Sequence, residues 1–162
     1  MTYFSEIVHL SDIARVHGDR CPDKKAFVFE DRVVTYKEFD INSEKVANGL
    51  VLENVAEQDR VAYMDKNSDR FYELVMGCAK SNSVIVGINW RLAPPEVAYI
   101  LNDSSAKILF VGEDFFGLVE KILKDVPSIE KVICMTGTNK DWPSYEEWRD
   151  KQSDVICDRK PQ

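Results

Sequence analysis

A candidate ligand-binding corner lies where one apolar run of the sequence ends. The run is followed by Asn89, Trp90 and Arg91, and two prolines, Pro94 and Pro95, come soon after. Arginine carries a planar fork of N–H donors that fits the oxygens of a phosphate group. Proline fixes φ and suits the first turn of a helix, so Pro94 and Pro95 set the chain direction after the corner. Because the ends of parallel strands face a crevice in which ligands bind, Arg91 is a candidate phosphate contact.

Packing is the alternative interpretation of the same corner. In that case Trp90 fills part of the core, Arg91 pairs with a carboxylate, and the prolines only set the turn. Residue chemistry alone favours packing, because structural ion pairs also collect charged groups in clefts.

Other catalytic and binding patterns are weakly supported. The two histidines, His9 and His17, are accompanied by no G-x-S-x-G motif, which favours surface or capping roles for both. No H-x-x-x-H, C-x-x-C or calcium-loop pattern occurs, so the sequence assigns no metal ligand. The stretch CMTGTNK, residues 134–140, could form a nest of N–H groups, but its single glycine favours an ordinary loop. The sequence therefore assigns no catalytic residue.

Composition and charge argue against several partners. The chain has 162 residues, enough for one domain with a substantial core, and a net charge of -7. It has no block rich in lysine and arginine, so we predict no nucleic-acid partner. It has neither a signal-peptide pattern nor an apolar run of about 18 residues, so we predict no transmembrane segment. We expect the dispersed cysteines to be reduced thiols, which predicts a cytoplasmic protein.

Four β-branched apolar runs are expected to form the strands that position this corner. Their first core residues, spaced 23 or 24 residues apart, are Val61, Val84, Ile108 and Val132. Between successive runs the apolar residues recur at helical spacing, as in Phe71, Leu74, Val75 and Cys78. Continuous apolar strands that alternate with amphipathic helices predict an α/β fold, with a mostly parallel sheet of β-α units and helices on both faces.

The first third of the chain follows another pattern. Residues 7–19 have the spacing of an amphipathic helix, and two apolar runs flanking Asp31 predict a β-hairpin. Residues 35–54 predict a long helix, which Thr35 and Glu38 begin with capping-box spacing. The parallel sheet is therefore expected to be preceded by an N-terminal helix and a hairpin.

The order of these segments resembles the N-terminal part of the adenylate-forming, or AMP-binding, enzymes, and most closely an acyl-CoA synthetase acting on fatty or aryl acids. DRCPDKKAFVFEDRVVTYKEFDINSEKVANGL, residues 19–50, is similar to the opening of that family. Residues 57–111 match its next block in order and spacing, including NSDRF, INWRL and EVAYILNDS. The sequence departs from the family pattern at turns, namely at Gln58, Ser81–Ser83, Gly87 and Trp90.

The resemblance implies that residues 1–162 are the N-terminal α/β subdomain of such a ligase, without its phosphate loop and C-terminal domain. The implied reaction joins a carboxylic acid to CoA, with ATP consumed to AMP and pyrophosphate through an acyl-adenylate. ATP, Mg²⁺ and CoA would serve the parent enzyme, and none is expected to bind tightly to this chain, which would be inactive alone. Arg91 matches the arginine that meets a phosphate of the CoA nucleotide. The implied partners are the remainder of the ligase, the carboxylic acid and CoA, and the chain could also form a homodimer.

Two other functions stay open at this point. One is a self-sufficient, flavodoxin-like module that binds a small ligand at its strand ends, although no flavin phosphate loop is evident. The other is a truncated, non-catalytic interaction protein, which would expose an apolar face and self-associate.

Overall fold

The computed structural model describes residues 5–159, which form six α-helices and six β-strands and separate into two compact units. The first unit comprises residues 5–54, 67–82 and 149–159, and the second comprises residues 55–66 and 83–148. In chain order the elements are α1 (Asp12–Arg20), β1 (Lys25–Phe29), β2 (Arg32–Thr35), α2 (Tyr36–Leu52), β3 (Arg60–Met64), α3 (Asp69–Lys80), β4 (Val84–Gly87), α4 (Pro94–Ser104), β5 (Ile108–Val111), α5 (Phe116–Ile122), β6 (Lys131–Cys134) and α6 (Tyr145–Asp150).

The second unit is built on a four-stranded sheet in the order β4-β3-β5-β6, and all of its strands are parallel. Val61 of β3 lies between Ile85 of β4 and Ile108 of β5 in the register. Each predicted apolar run forms one of these strands, which confirms the predicted parallel sheet of β-α units.

Strands β3, β5 and β6 of the second unit are buried on both faces, whereas β4 is only partly buried. Leu109 and Val111 point to one face, where they join a buried cluster that includes Val97 of α4 and Val119 of α5. Phe110 points to the other face and meets Trp148 edge to face, with 5.4 Å between the ring centroids. Burial on both faces explains why these strands read as continuous apolar runs instead of alternating ones.

The first unit joins the hairpin to three helices. Strands β1 and β2 are antiparallel, as predicted, with Val28 opposite Val33. Phe27 of the hairpin packs edge to face on Phe39 of α2, with ring centroids 4.9 Å apart. Gly77 lets α3 approach α2 closely, because a Cβ atom there would lie only 2.6 Å from the Cβ atom of Val46.

Helix starts are set by local hydrogen bonds. The predicted capping box is confirmed, because the Thr35 hydroxyl accepts the Glu38 N–H at 3.2 Å and the Glu38 carboxylate accepts the Thr35 N–H at 2.8 Å. The predicted first helix starts too early, since α1 begins at Asp12. The Asp12 carboxylate accepts the N–H groups of Val8 and His9, and these bonds hold the preceding residues in a turn.

A buried ion network supports α2 and α3. The Lys80 ammonium lies 2.7 Å from carboxylate oxygens of both Asp40 and Glu44, and its side chain is 5% exposed. The buried carboxylate of Asp69 receives two hydrogen bonds from Arg32. Each buried charge therefore has an opposite charge and hydrogen bonds, as low-dielectric surroundings require.

Two of the cysteines lie in the protein interior. Cys78 and Cys134 are buried and in no disulfide, and burial raises the pKa of the Cys134 thiol. Among residues 5–159, every helix is too short or too polar to cross a bilayer.

Candidate functional site

The carboxyl ends of the parallel strands form the candidate site. In the order β4-β3-β5-β6, the chain leaves β3 toward β4 at one edge of the sheet and leaves β5 toward β6 at the opposite edge. The connections therefore diverge after the neighbouring strands β3 and β5. Such a point of divergence opens a crevice in parallel sheets, and ligands bind there. Asp65 and Lys66 follow β3, Glu113 and Asp114 follow β5 after one glycine, and Arg91 follows β4.

Asp65 lies half-buried between the ends of β3 and β5. Gly112 leaves room for it, because a Cβ atom on that glycine would lie 2.5 Å from Asp65 Oδ2. Burial, with a smaller contribution from the charges of Asp114 and Glu113, raises the pKa of the Asp65 carboxyl above its ordinary value. Asp65 also accepts the N–H of Lys66 at 2.7 Å. The carboxylate thus lies against the backbone of Gly112 and Lys66, at the point where the strand connections diverge.

Lys66 carries a positive charge at the same edge. Its ammonium donates to Asp114 at 2.8 Å, and that hydrogen bond and charge raise the pKa of Lys66. It also lies 5.9 Å from the centroid of the Trp90 ring, at the outer limit of cation–π attraction. Both partners of the ion pair are exposed, so water screens their attraction.

The backbone around Arg91 is fixed by its neighbours. Asn89 accepts the Arg91 N–H through its side-chain oxygen at 3.0 Å and the Leu92 N–H through its carbonyl at 3.1 Å. The two prolines begin α4, as predicted, and the Glu96 carboxylate accepts the Ala93 N–H at 2.8 Å. The corner is therefore a hydrogen-bonded turn that leads directly into a helix.

The Arg91 side chain lies on Trp90. Its guanidinium carbon is 3.9 Å from the centroid of the indole ring, well within the range of a cation–π contact. Trp90 is itself partly buried and packs against the cluster that fills one face of the sheet. The packing interpretation is thus correct for Trp90.

Arg91 does not have the carboxylate partner that the packing interpretation requires. Within residues 5–159 its exposed guanidinium makes no salt bridge, whereas Arg15, Arg32 and Arg149 each bond a carboxylate at 2.6–2.9 Å. The Arg91 side chain is exposed to solvent. Its N–H donors stay available to an anion.

The glycine-containing stretch after β6 is a loop, as predicted. No helix follows it directly, and Gly137 adopts a positive φ of 65°, with room for Glu113 beside it. The Thr136 hydroxyl accepts the N–H of Glu113 at 3.0 Å, which ties this loop to the end of β5.

Sequence reasoning missed Asp65, Lys66 and Asp114. Each occurs within three residues of the end of an apolar strand run, in YMDK and FVGED. Charged residues at the carboxyl ends of parallel strands were the available signal, because these ends meet at one edge of the sheet. The order of the strands was needed to bring Lys66 and Asp114 together.

Comparison with known proteins identifies relatives for nearly the whole chain. The profile of one family, described as AMP-binding enzyme, matches residues 14–161. The chain is 37% identical over 145 residues to the fatty acid–[acyl-carrier-protein] ligase ScoC of Streptomyces coeruleorubidus, covering 90% of this chain and 26% of that protein. It is 28% identical over 149 residues to the indoleacetate–CoA ligase of Aromatoleum aromaticum, covering 92% of this chain and 29% of that protein. The chain thus spans about a quarter of the length of these relatives.

Solved structures share the fold. The crystal structure of the anthranilate CoA ligase AuaEII in complex with anthranoyl-AMP matches with a TM-score of 0.85 and 26% identity, over 91% of this chain and 28% of that one. The N-terminal domain of FACL13 from Mycobacterium tuberculosis matches with a TM-score of 0.84 and 27% identity, over 94% and 38%. The α/β architecture inferred from the sequence is therefore also that of known ligases.

Proposed function

The chain belongs to the AMP-binding enzymes, and from that membership we propose that residues 1–162 form the N-terminal α/β subdomain of an ATP-dependent acyl-CoA synthetase. Its similarity to ligases over about a quarter of their length supports this assignment. The same similarity favours a ligase over a self-sufficient flavodoxin-like module or a non-catalytic interaction protein. The activity belongs to the whole enzyme, and we expect the 162-residue chain to be inactive alone.

The proposed reaction has two steps. First, a carboxylate oxygen of the acid attacks the α-phosphorus of ATP, and the bond to the β-phosphate breaks to release pyrophosphate. Second, the thiolate of CoA attacks the acyl carbon of the adenylate, and the bond to the phosphate oxygen breaks to release AMP. The thiol proton goes to solvent or to a base of the parent enzyme. ATP and CoA are thus substrates.

The exposed, carboxylate-free guanidinium of Arg91 is the observation that supports a role for this subdomain in CoA binding. A fork of charged donors suits a phosphate of the CoA nucleotide. The Asn89 hydrogen bond and the helix that begins at Pro94 keep its backbone in one position. In this proposal Arg91 binds and orients CoA and takes no part in bond breaking.

Magnesium would neutralise phosphate charge in the parent enzyme during the first step. Residues 5–159 hold no group of three or more histidine, cysteine, aspartate or glutamate side chains arranged to bind a metal ion. No residue of this part of the chain is therefore assigned to magnesium.

The relatives suggest the class of the acid and raise a question about the acceptor. Their names specify fatty acids and indoleacetate, which supports a fatty or aryl carboxylic acid as the substrate. ScoC is named for transfer to an acyl carrier protein, whereas the other relative is named for transfer to CoA. We propose CoA as the acceptor here, because Arg91 suits a nucleotide phosphate.

A comparison of two polypeptides of different length tests the proposed function. The 162-residue chain and the longest polypeptide encoded by the same reading frame are each assayed for acid-dependent exchange of pyrophosphate into ATP and for AMP release with CoA. We expect both activities only in the longer polypeptide. Acid-independent exchange, or no exchange with any fatty or aryl acid, would refute the ligase assignment.

The acceptor is tested with a matched pair of substitutions. In the longer polypeptide, Arg91→Ala should raise KM for CoA about tenfold, the usual scale for one charge-assisted bond, and leave pyrophosphate exchange unchanged. Lys140→Ala, at an 89% exposed side chain, serves as the control. If Arg91→Ala leaves KM for CoA unchanged, or if only an acyl carrier protein is acylated, the proposed CoA contact is wrong.

Location and assembly are further proposals. The cysteines of residues 5–159 form no disulfide, which supports a reducing compartment such as the cytoplasm. Fractionation of cells that express the protein tests the location. A homodimer stays a prediction, and light scattering at several protein concentrations tests it.

A further inference from the structure

Trp90 packs against the core of the second unit and also contacts Arg91. Its ring centroid lies 6.0 Å from that of Phe115, with the planes tilted by 36°. The indole is partly buried against the cluster that includes Phe115. One part of this large flat side chain is therefore fixed by the core, while another part faces Arg91.

The contact between Trp90 and Arg91 is close enough for the flat face of the guanidinium to lie on the indole ring. The guanidinium carbon lies 3.9 Å from the ring centroid. The N–H bonds of a guanidinium point outward in its own plane, so stacking on a ring leaves all of them free. A carboxylate partner would instead occupy them, as in Arg32 with Asp69.

An exposed arginine without a partner would sample many rotamers. Immobilising such a side chain on binding is unfavourable, and prior immobilisation removes that cost. Lys66 competes little for the same ring, because its ammonium lies 5.9 Å from the centroid and bonds Asp114. Trp90 thus has the position and the ring face needed to hold Arg91 ready.

We infer that Trp90 is a positioning residue, which holds the Arg91 guanidinium on its indole face with the N–H edge free for a phosphate. The inference deepens the proposed function and rests on it for the identity of the ligand, a phosphate of the CoA nucleotide. The stacking itself is tested without any ligand. In this role Trp90 affects CoA binding only through Arg91.

Two substitutions separate positioning from packing. Trp90→Phe and Trp90→Leu both replace the indole with a smaller apolar side chain, but only phenylalanine presents an aromatic face to a cation. If Trp90 served packing alone, both variants would behave alike. Tyr99→Leu, at a 67% exposed aromatic side chain of α4, controls for the general loss of a ring.

Relaxation of the Arg91 Nε–H group measures the positioning. The experiment uses the ¹⁵N-labelled 162-residue chain, whose mass of 18.6 kDa suits solution NMR. We expect an order parameter above about 0.6 in the wild type, Trp90→Phe and Tyr99→Leu, and below about 0.6 in Trp90→Leu. A mobile Arg91 in the wild type would overturn the inference, as would equal order parameters in the two Trp90 variants.

Steady-state kinetics with CoA then test whether the positioning of Arg91 affects ligand binding. In the longer polypeptide Trp90→Leu should raise KM for CoA about three- to tenfold, with Trp90→Phe within about twofold of the wild type. KM for pantetheine, which carries no phosphate, should not change. If Arg91→Ala raises KM for CoA but Trp90→Leu does not, the positioning role is refuted and the CoA contact stands. If Arg91→Ala has no effect, the CoA contact is refuted, and the order parameters alone decide whether Trp90 holds Arg91.

Discussion

Replacing Lys80 with methionine tests the buried ion network of the first unit. The Lys80 ammonium is the shared partner of Asp40 and Glu44, at 2.7 Å from each carboxylate, and it also donates to the Asp40 carbonyl at 3.1 Å. The three side chains are 5%, 13% and 7% exposed. Methionine matches the length of the lysine stem but has no charge. The substitution therefore removes the cation that these two carboxylates, one helical turn apart, share.

The expected destabilisation follows from that geometry. Removing one partner of a buried ion pair costs about 3–5 kcal/mol, because the remaining charge stays buried without compensation. Glu44 keeps one hydrogen bond, from the Cys157 N–H at 3.1 Å, which places the expected loss for Lys80→Met at the lower end, about 3 kcal/mol. With an m-value of about 2 kcal/mol/M, the midpoint of urea unfolding should fall by about 1.5 M.

Urea unfolding followed by circular dichroism at pH 7 measures the change. Lys140→Met provides the control, because that side chain is 89% exposed and should shift stability by less than about 0.5 kcal/mol. Adding Asp40→Asn and Glu44→Gln to Lys80→Met should restore part of the lost stability, since the uncompensated charges are then removed. A loss below about 1 kcal/mol for Lys80→Met, or no recovery in the triple variant, would refute the reasoning.

Three further predictions concern stability. Gly77→Ala should cost about 1–3 kcal/mol in urea unfolding, because its Cβ atom would overlap Val46, and an unchanged midpoint would contradict this close approach. Thr35→Ala should cost about 1 kcal/mol in the same assay by removing the capping box, and Thr35→Ser should restore most of it. The His9 N–H, with further donors, lowers the pKa of Asp12 from 3.8 to about 2. A depressed folded-state pKa stabilises the protein above pH 4 and loses that effect as pH falls toward 2. Asp12→Asn should therefore flatten the dependence of stability on pH between 4 and 2, and an unchanged slope would contradict it.

Local patterns were sufficient to predict most elements of this protein. The four apolar runs from Arg60 to Cys134 are strands because they are short, β-branched and separated by helical spacing, and these are properties of neighbouring residues. The capping box at Thr35 was visible for the same reason, since its partner is three residues away. The start of α1 was misplaced, because a carboxylate in its first turn bonds the N–H groups of the preceding residues.

The strand and helix pattern, the family and the position of Arg91 at a strand end could all be predicted from the amino-acid sequence. The three-dimensional arrangement was needed to show that Arg91 lies on Trp90 without a carboxylate, and that Lys66 bonds Asp114 from a different strand end. The physical reason is distance along the chain. Periodicity and capping depend on residues within one or two turns, whereas a charge finds its partner only after the strand order and packing of the whole sheet are set.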